Sequence, residues 1–143
     1  MGRKNENTNL AAEFYIMSML HRLGLEPILT LGNKKDIDIL LHTNNRTYTI
    51  DVKGLKGKTN WPIGNKEKIN SFRKQKLKNH FFIFITFLGK IRDATITPEI
   101  FVVPLSDALN LKVYWGKQDQ YSIEYSDLKG SNKYKDAWHY FDI

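Results

Sequence analysis

Residues 36–53, DIDILLHTNNRTYTIDVK, constrain the fold more tightly than any other stretch of the chain. Two runs with period-two alternation flank Asn44-Asn45. Ile37, Ile39 and Leu41 point one way and Asp36, Asp38 and Leu40 the other; Tyr48, Ile50 and Val52 alternate with Thr49, Asp51 and Lys53. Such alternation is the signature of half-buried strands, and an Asn-rich pair between them favours a two-residue hairpin loop. In that register the numbers of facing residues sum to 89, so Asp38 faces Asp51 and Asp36 faces Lys53. The apolar faces of both strands then agree, which a one-residue slip would destroy. Facing side chains lie roughly 5 Å apart. Two carboxylates at that spacing repel each other and need a cation, and Lys53 stands two residues from Asp51 on the same face.

The rest of the chain follows an α/β order. Asn7 to Gly24 reads as a helix, capped by Asn7, Thr8 or Asn9, with an apolar face of Leu10, Phe14, Met17, Leu20 and Leu23, joined by Ile16. A short strand, Ile28 to Leu31, and a turn at Gly32-Asn33 lead into the hairpin. Gly54 to Gly64 reads as a loop holding Trp61-Pro62, and Asn65 to Asn79 as a largely exposed helix with a thin stripe of Ile69, Phe72 and Leu77. His80 to Leu88, HFFIFITFL, predicts a strand buried on both faces. Glu99 to Pro104 is a further apolar run, Ser106 to Leu111 a short helix capped by Ser106, and Lys112–Trp115 and Tyr121–Tyr125 weaker strands. Tyr134, Trp138, Tyr140 and Phe141 read as core or a packing patch. The expectation is one domain over residues 1–143, with a central mixed sheet flanked by helices.

Charge distribution narrows the partner. The net charge is +7, and the segment Gly54–His80 alone carries +7: Lys56, Lys58, Lys66, Lys68, Arg73, Lys74, Lys76 and Lys78 against Glu67. The remaining chain is neutral. A basic segment beside carboxylates suits a polyphosphate, whose backbone lysines attract with release of counterions; the plainer reading is a solvated lysine-rich surface. No apolar run is long enough to span a membrane, and the N-terminus lacks the apolar stretch of a signal peptide. Cysteine is absent, which excludes disulfides, thiolate zinc sites and a cysteine nucleophile and fits a cytoplasmic protein. His21, His42, His80 and His139 lack ligand spacing.

The pairing of Asp38 with Asp51 permits definite chemistry. Hard oxygens on rigid strands suit Mg²⁺, with Mn²⁺ able to substitute, and the Val52 backbone carbonyl can join the two carboxylates. Lys53 can position or deprotonate a water and offset charge on phosphorus. Glu13 is either a third carboxylate from the helix or a helix-start acid favoured by the dipole. Asp36 is either a rival metal ligand or a partner of Lys53. Gln75 could touch substrate or be solvated, and Trp61 could stack on a base or pin the glycine loop. The tripeptide alone is weak: Asp127-Leu128-Lys129 repeats it in a polar stretch with no hairpin partner.

With these residues the chain resembles the PD-(D/E)xK nuclease superfamily, the restriction-endonuclease-like fold. Glu13, Asp38, Asp51 and Lys53 match, in order, its helical acid, its isolated aspartate before an apolar run, and its acidic-x-lysine strand motif. Aspartate stands at position 51 where glutamate is commoner, and no proline precedes Asp36 or Asp38. The match covers residues 7–88, and WPIG, PEIFVVP and DAWHYF resemble a bacterial branch of the superfamily. The resemblance implies a divalent-metal-dependent endonuclease acting on DNA, with catalytically inactive nucleic-acid-binding modules on the same fold as the alternative. Nucleases that cut both strands often form homodimers, and the sequence identifies no interface for one.

Overall fold

The computed structural model describes residues 2–30, 37–75 and 77–143, with side chains from residue 7 onward. The expected turn at Gly32-Asn33, and Asp36 and Lys76, lie outside the described residues. Helix α1 (Gly2–Arg22) is followed by β1 (Pro27–Leu29) and by the hairpin of β2 (Ile39–Thr43) and β3 (Arg46–Leu55). Then come β4 (Asn60–Gly64), α2 (Lys66–Gln75), β5 (His80–Thr86), β6 (Glu99–Pro104), α3 (Leu105–Leu111), β7 (Val113–Trp115), β8 (Gln120–Glu124) and α4 (Tyr125–Ser131).

The central sheet has five strands in the order β1-β2-β3-β5-β6. It is mixed: β3 and β5 run parallel, and the other neighbours run antiparallel. Parallel neighbours cannot be joined by a tight turn. The crossover here contains β4 and α2, and β4 enters a second, three-stranded antiparallel sheet, β4-β8-β7. The expected loop over Gly54 to Gly64 is corrected: Gly54 and Leu55 complete β3, and Asn60–Gly64 form β4.

Each face of the central sheet has its own core. On one side Ala12, Ile16 and Leu20 of α1 pack on Ile39, Ile50, Val52, Phe81 and Ile83, closed by Trp138 and Phe141. On the other, Trp61, Ile63, Ile69 and Phe72 pack on Phe82, Phe84, Phe101 and Val103. β5 is buried along its whole length because it serves both cores, which is why its sequence does not alternate.

Helix α1 starts at Gly2 rather than Asn7 and is rotated from the expected face. Leu10, Phe14 and Leu23 are exposed by 48%, 57% and 38%, whereas Thr8, Ala12, Ile16 and Leu20 are buried. Size decides this. A Cβ on Gly54 would lie 2.9 Å from Ala12 Cβ and 3.0 Å from the Thr8 carbonyl oxygen, so around Thr8 and Ala12 α1 lies too close to β3 for larger side chains. Helix α3 begins after Pro104 without a side-chain cap, so Ser106 does not cap it.

Candidate active site

The hairpin forms with the expected register: Thr43 pairs with Arg46, Leu41 with Tyr48 and Ile39 with Ile50. Asn44 and Asn45 both have positive φ, 50° and 62°, as a tight primed turn requires. The ladder stops at Ile39↔Ile50, and Asp38 does not continue it. Regular pairing of Asp38 with Asp51 would turn the Asp38 N–H away from β3. Instead that N–H donates to the Ile50 carbonyl at 2.8 Å. The Asp38 carboxylate bends along the strand, and its Oδ2 accepts the Val52 N–H at 2.7 Å. The expected face-to-face pair is therefore an offset pair. The cause is physical: opposed anions repel, and an unused backbone donor offers one of them a charge-assisted bond.

The strand geometry explains why that donor is free for Asp38. Thr49 donates to the Asn79 carbonyl and Leu55 accepts from the Phe87 N–H, so odd-numbered residues of β3 bond toward β5. Val52 turns its N–H and its carbonyl to the opposite edge, where β2 has ended. Asp51 and Lys53 meet on the strand, with Lys53 Nζ 3.4 Å from Asp51 Oδ1. Glu13 is half-buried on α1 and close enough to feel both Asp38 and Lys53. Glu13, Asp38, Asp51 and Lys53 thus occupy one locality.

Electrostatics mark this locality as unusual. Asp51 is 2% exposed, and its Oδ2 is buried with no hydrogen-bond partner. Burial pushes its carboxyl up to about 7, against the pull of Lys53 and Lys68 and with reinforcement from Asp38. Glu13 is also raised to about 7, by burial first and then by Asp38, with Lys53 opposing. An orphaned buried oxygen beside a second carboxylate and a backbone carbonyl is an all-oxygen donor set fitting a hard divalent cation. Among the described residues no three acidic or histidine side chains form a ready-made metal cage. Two protein carboxylates with solvent completing the shell suit Mg²⁺, which keeps several waters.

The basic residues do not form one stripe. Lys56 lines a cavity of about 440 Å³ together with Lys53, Gly54 and Pro62. Lys58, Lys66, Arg73, Lys74 and Lys78 are exposed; Lys66 Nζ lies 5.0 Å from the Tyr114 ring centre on β7, and Arg73 borders a separate hollow with His80. Lys68 differs from all of them. It is half-buried, its stem lies against Gly64, and its charge acts on Asp51. Sequence reasoning placed it with the phosphate-gripping lysines; its helical spacing to the buried Phe72, one turn on, was the signal for an inward position. Gln75 is exposed and donates to Ser71 at 2.9 Å. Trp61 is fully buried and donates its indole N–H to the Ile85 carbonyl at 3.1 Å, so it is core and not a base-stacking surface. The repeat of the tripeptide, Asp127-Leu128-Lys129, lies on helix α4.

No family model matches the chain, and no curated protein matches it. Solved structures do match. One is described as the structure of a bacterial homing endonuclease, I-Ssp6803I, with a TM-score of 0.55 at 14% sequence identity, over 96% of this chain and 91% of that one. The fold of this chain is therefore similar to that of a nuclease. Among the described residues no helix is long and apolar enough to cross a membrane.

Proposed function

We propose that this protein is a metal-dependent endonuclease that hydrolyses phosphodiester bonds in DNA. The observation that carries the reading is Asp51, a carboxylate buried on a rigid strand with one oxygen unused, beside Asp38 and Lys53. The similarity of fold to a homing endonuclease supports it. Asp38, Asp51 and the Val52 carbonyl would hold Mg²⁺, or Mn²⁺ in its place. Such an ion lowers the pKa of a bound water and polarises a phosphate.

The chain's own groups have separable tasks. Lys53 holds the attacking water in line and offsets negative charge on the phosphate. Glu13, raised to about 7, accepts and returns a proton near neutral pH. Lys68 favours the ionised form of Asp51, the form that a cation needs. Lys56, Lys58, Lys66, Arg73, Lys74, Lys76 and Lys78 bind backbone phosphates and make the affinity fall with salt.

The test is incubation with supercoiled plasmid, single-stranded DNA and branched DNA in Mg²⁺ or Mn²⁺. Wild type cuts at least one of them, and Asp51→Ala and Lys53→Ala abolish cutting while keeping the fold. Absence of cutting on all three substrates refutes the enzymatic reading. Salt-sensitive DNA binding indifferent to Asp51→Ala, without cutting, identifies a non-catalytic binding module instead.

A further inference from the structure

The small sheet β4-β8-β7 has an outer face that the core does not use. Cross-strand pairs share a face, and Pro62↔Ser122, Val113↔Ser122, Trp115↔Gln120 and Asn60↔Glu124 all fall on it. The opposite face carries Trp61, Ile63 and Ile123 into the interior. Around a buried Ser122 the outer face carries the partly exposed amides of Asn60 and Gln120 and a tryptophan, Trp115, that is 44% exposed. Asn60, Trp115, Gln118, Gln120 and Ser122, with Pro62, line a hollow of about 390 Å³.

Two further observations orient this face. Pro62 also borders the cavity that Lys53 lines, so the hollow and that cavity share a wall. Positive charge flanks the face: Lys56 and Lys58 lead into β4, and Lys117 lies in the turn Gly116–Gln118 between β7 and β8. Amides flanked by lysines have the chemistry that reads bases between phosphates. Asn and Gln bond adenine edges bidentately, and a carboxylate such as Glu124 accepts from the cytosine amine. A major groove about 12 Å wide admits a two-stranded β-ribbon, and the antiparallel pair β7-β8, which carries Trp115 and Gln120, is one.

We infer that the outer face of β4-β8-β7 reads base edges in duplex DNA, with Asn60, Trp115 and Gln120 as its contacts. This rests on the reading of DNA as the substrate. It adds that the substrate is double-stranded and recognised by sequence, through a surface continuous with the cutting site. Trp115 supplies apolar contact to thymine methyl groups, Asn60 supplies hydrogen bonds, and Gln120, whose Nε2 donates to the Tyr121 carbonyl at 2.9 Å, supplies its Oε1 and its second N–H. The neighbouring lysines fix the register on the backbone.

Selection from duplexes with a random central segment, in EDTA so that nothing is cut, tests the inference. Wild type enriches a defined motif. Gln120→Ala and Trp115→Ala, each verified as folded by its melting curve, lower the ratio of motif to random-duplex affinity about tenfold. Wild type that enriches no motif overturns the inference, as do variants that retain the wild-type ratio, the outcome expected if this face docks a protein or a second copy. Plasmid cutting by wild type in Mg²⁺ is read separately. A motif without cutting keeps the surface and removes the nuclease reading; cutting without a motif does the reverse.

Discussion

Two buried carboxylates in this molecule stand beside lysines and have opposite fates. Glu99, at the start of β6, is 8% exposed, yet both its oxygens are used. Tyr125 donates to Oε1, Lys129 bonds Oε2, and Lys135 Nζ lies 3.4 Å from the same oxygen. Burial pushes Glu99 up, but the bonds from Lys129, Tyr125 and Lys135 outweigh it and hold the carboxyl below its ordinary value. Asp51 has one lysine at 3.4 Å, an acidic neighbour and an empty oxygen, and it is raised to about 7. The repeated tripeptide sharpens the contrast, because Lys129 of the second Asp-x-Lys is spent on Glu99. One carboxylate is fully bonded within the fold; the other, held on a rigid strand, keeps an unsatisfied oxygen.

The largest effect that could break this comparison is on activity. Asp51→Asn should lower Mg²⁺-dependent plasmid nicking by roughly a thousandfold, whereas Glu99→Gln should leave it within about threefold wherever the protein is folded. Stability should show the reverse order. In urea titrations Glu99→Gln costs about 1–3 kcal/mol, since Lys129 and Lys135 lose their counter-ion. Asp51→Asn stabilises the metal-free protein at pH 8 by about 1–3 kcal/mol, because it removes a charge from a dry site. Gly54→Ala should cost about 1–3 kcal/mol by forcing α1 off β3.

pH separates the two carboxylates by sign. Between its ordinary 3.8 and about 7, Asp51 keeps a proton in the folded state that the unfolded chain has lost, so its contribution falls as pH rises through that window. Glu99 stabilises above its ordinary 4.5, and that contribution is lost as pH falls through its lowered value. Urea titrations from pH 5 to 8 should show Asp51→Asn flattening the neutral limb, and Mg²⁺ restoring wild-type stability at pH 8. The smallest effect is at Lys68. Lys68→Met should lower nicking about tenfold at pH 7 and less at pH 8.5, where Asp51 ionises without help.

The hairpin was legible because its information is local: alternation and two asparagines fix the register of Ile39 against Ile50. β5 was legible for the same reason, as a run apolar on both faces. The face of α1 was legible only in part: Ile16 and Leu20 are buried as expected. Leu10 and Phe14 outrank Ala12 and Thr8 on any hydrophobicity scale, and only the approach of α1 to Gly54 makes the small residues the buried ones. In the second sheet β7 and β8 were legible as weak strands; β4 was not, because its partner β8 is distant in sequence and β4 contains proline. At the candidate site, the sequence singled out Glu13, Asp38, Asp51 and Lys53, which the fold brings into one locality. The offset of Asp38 could not be read, because it depends on a competition between repulsion and a backbone donor that alternation does not encode.

Titration of the protein with Mn²⁺, followed through the EPR signal of the free ion, tests the central claim most directly. The account predicts a site that takes up Mn²⁺ in wild type and in Glu99→Gln, tightens as pH rises through about 7, and is lost in Asp51→Asn. Equal uptake by wild type and Asp51→Asn, or no uptake by either, would contradict it.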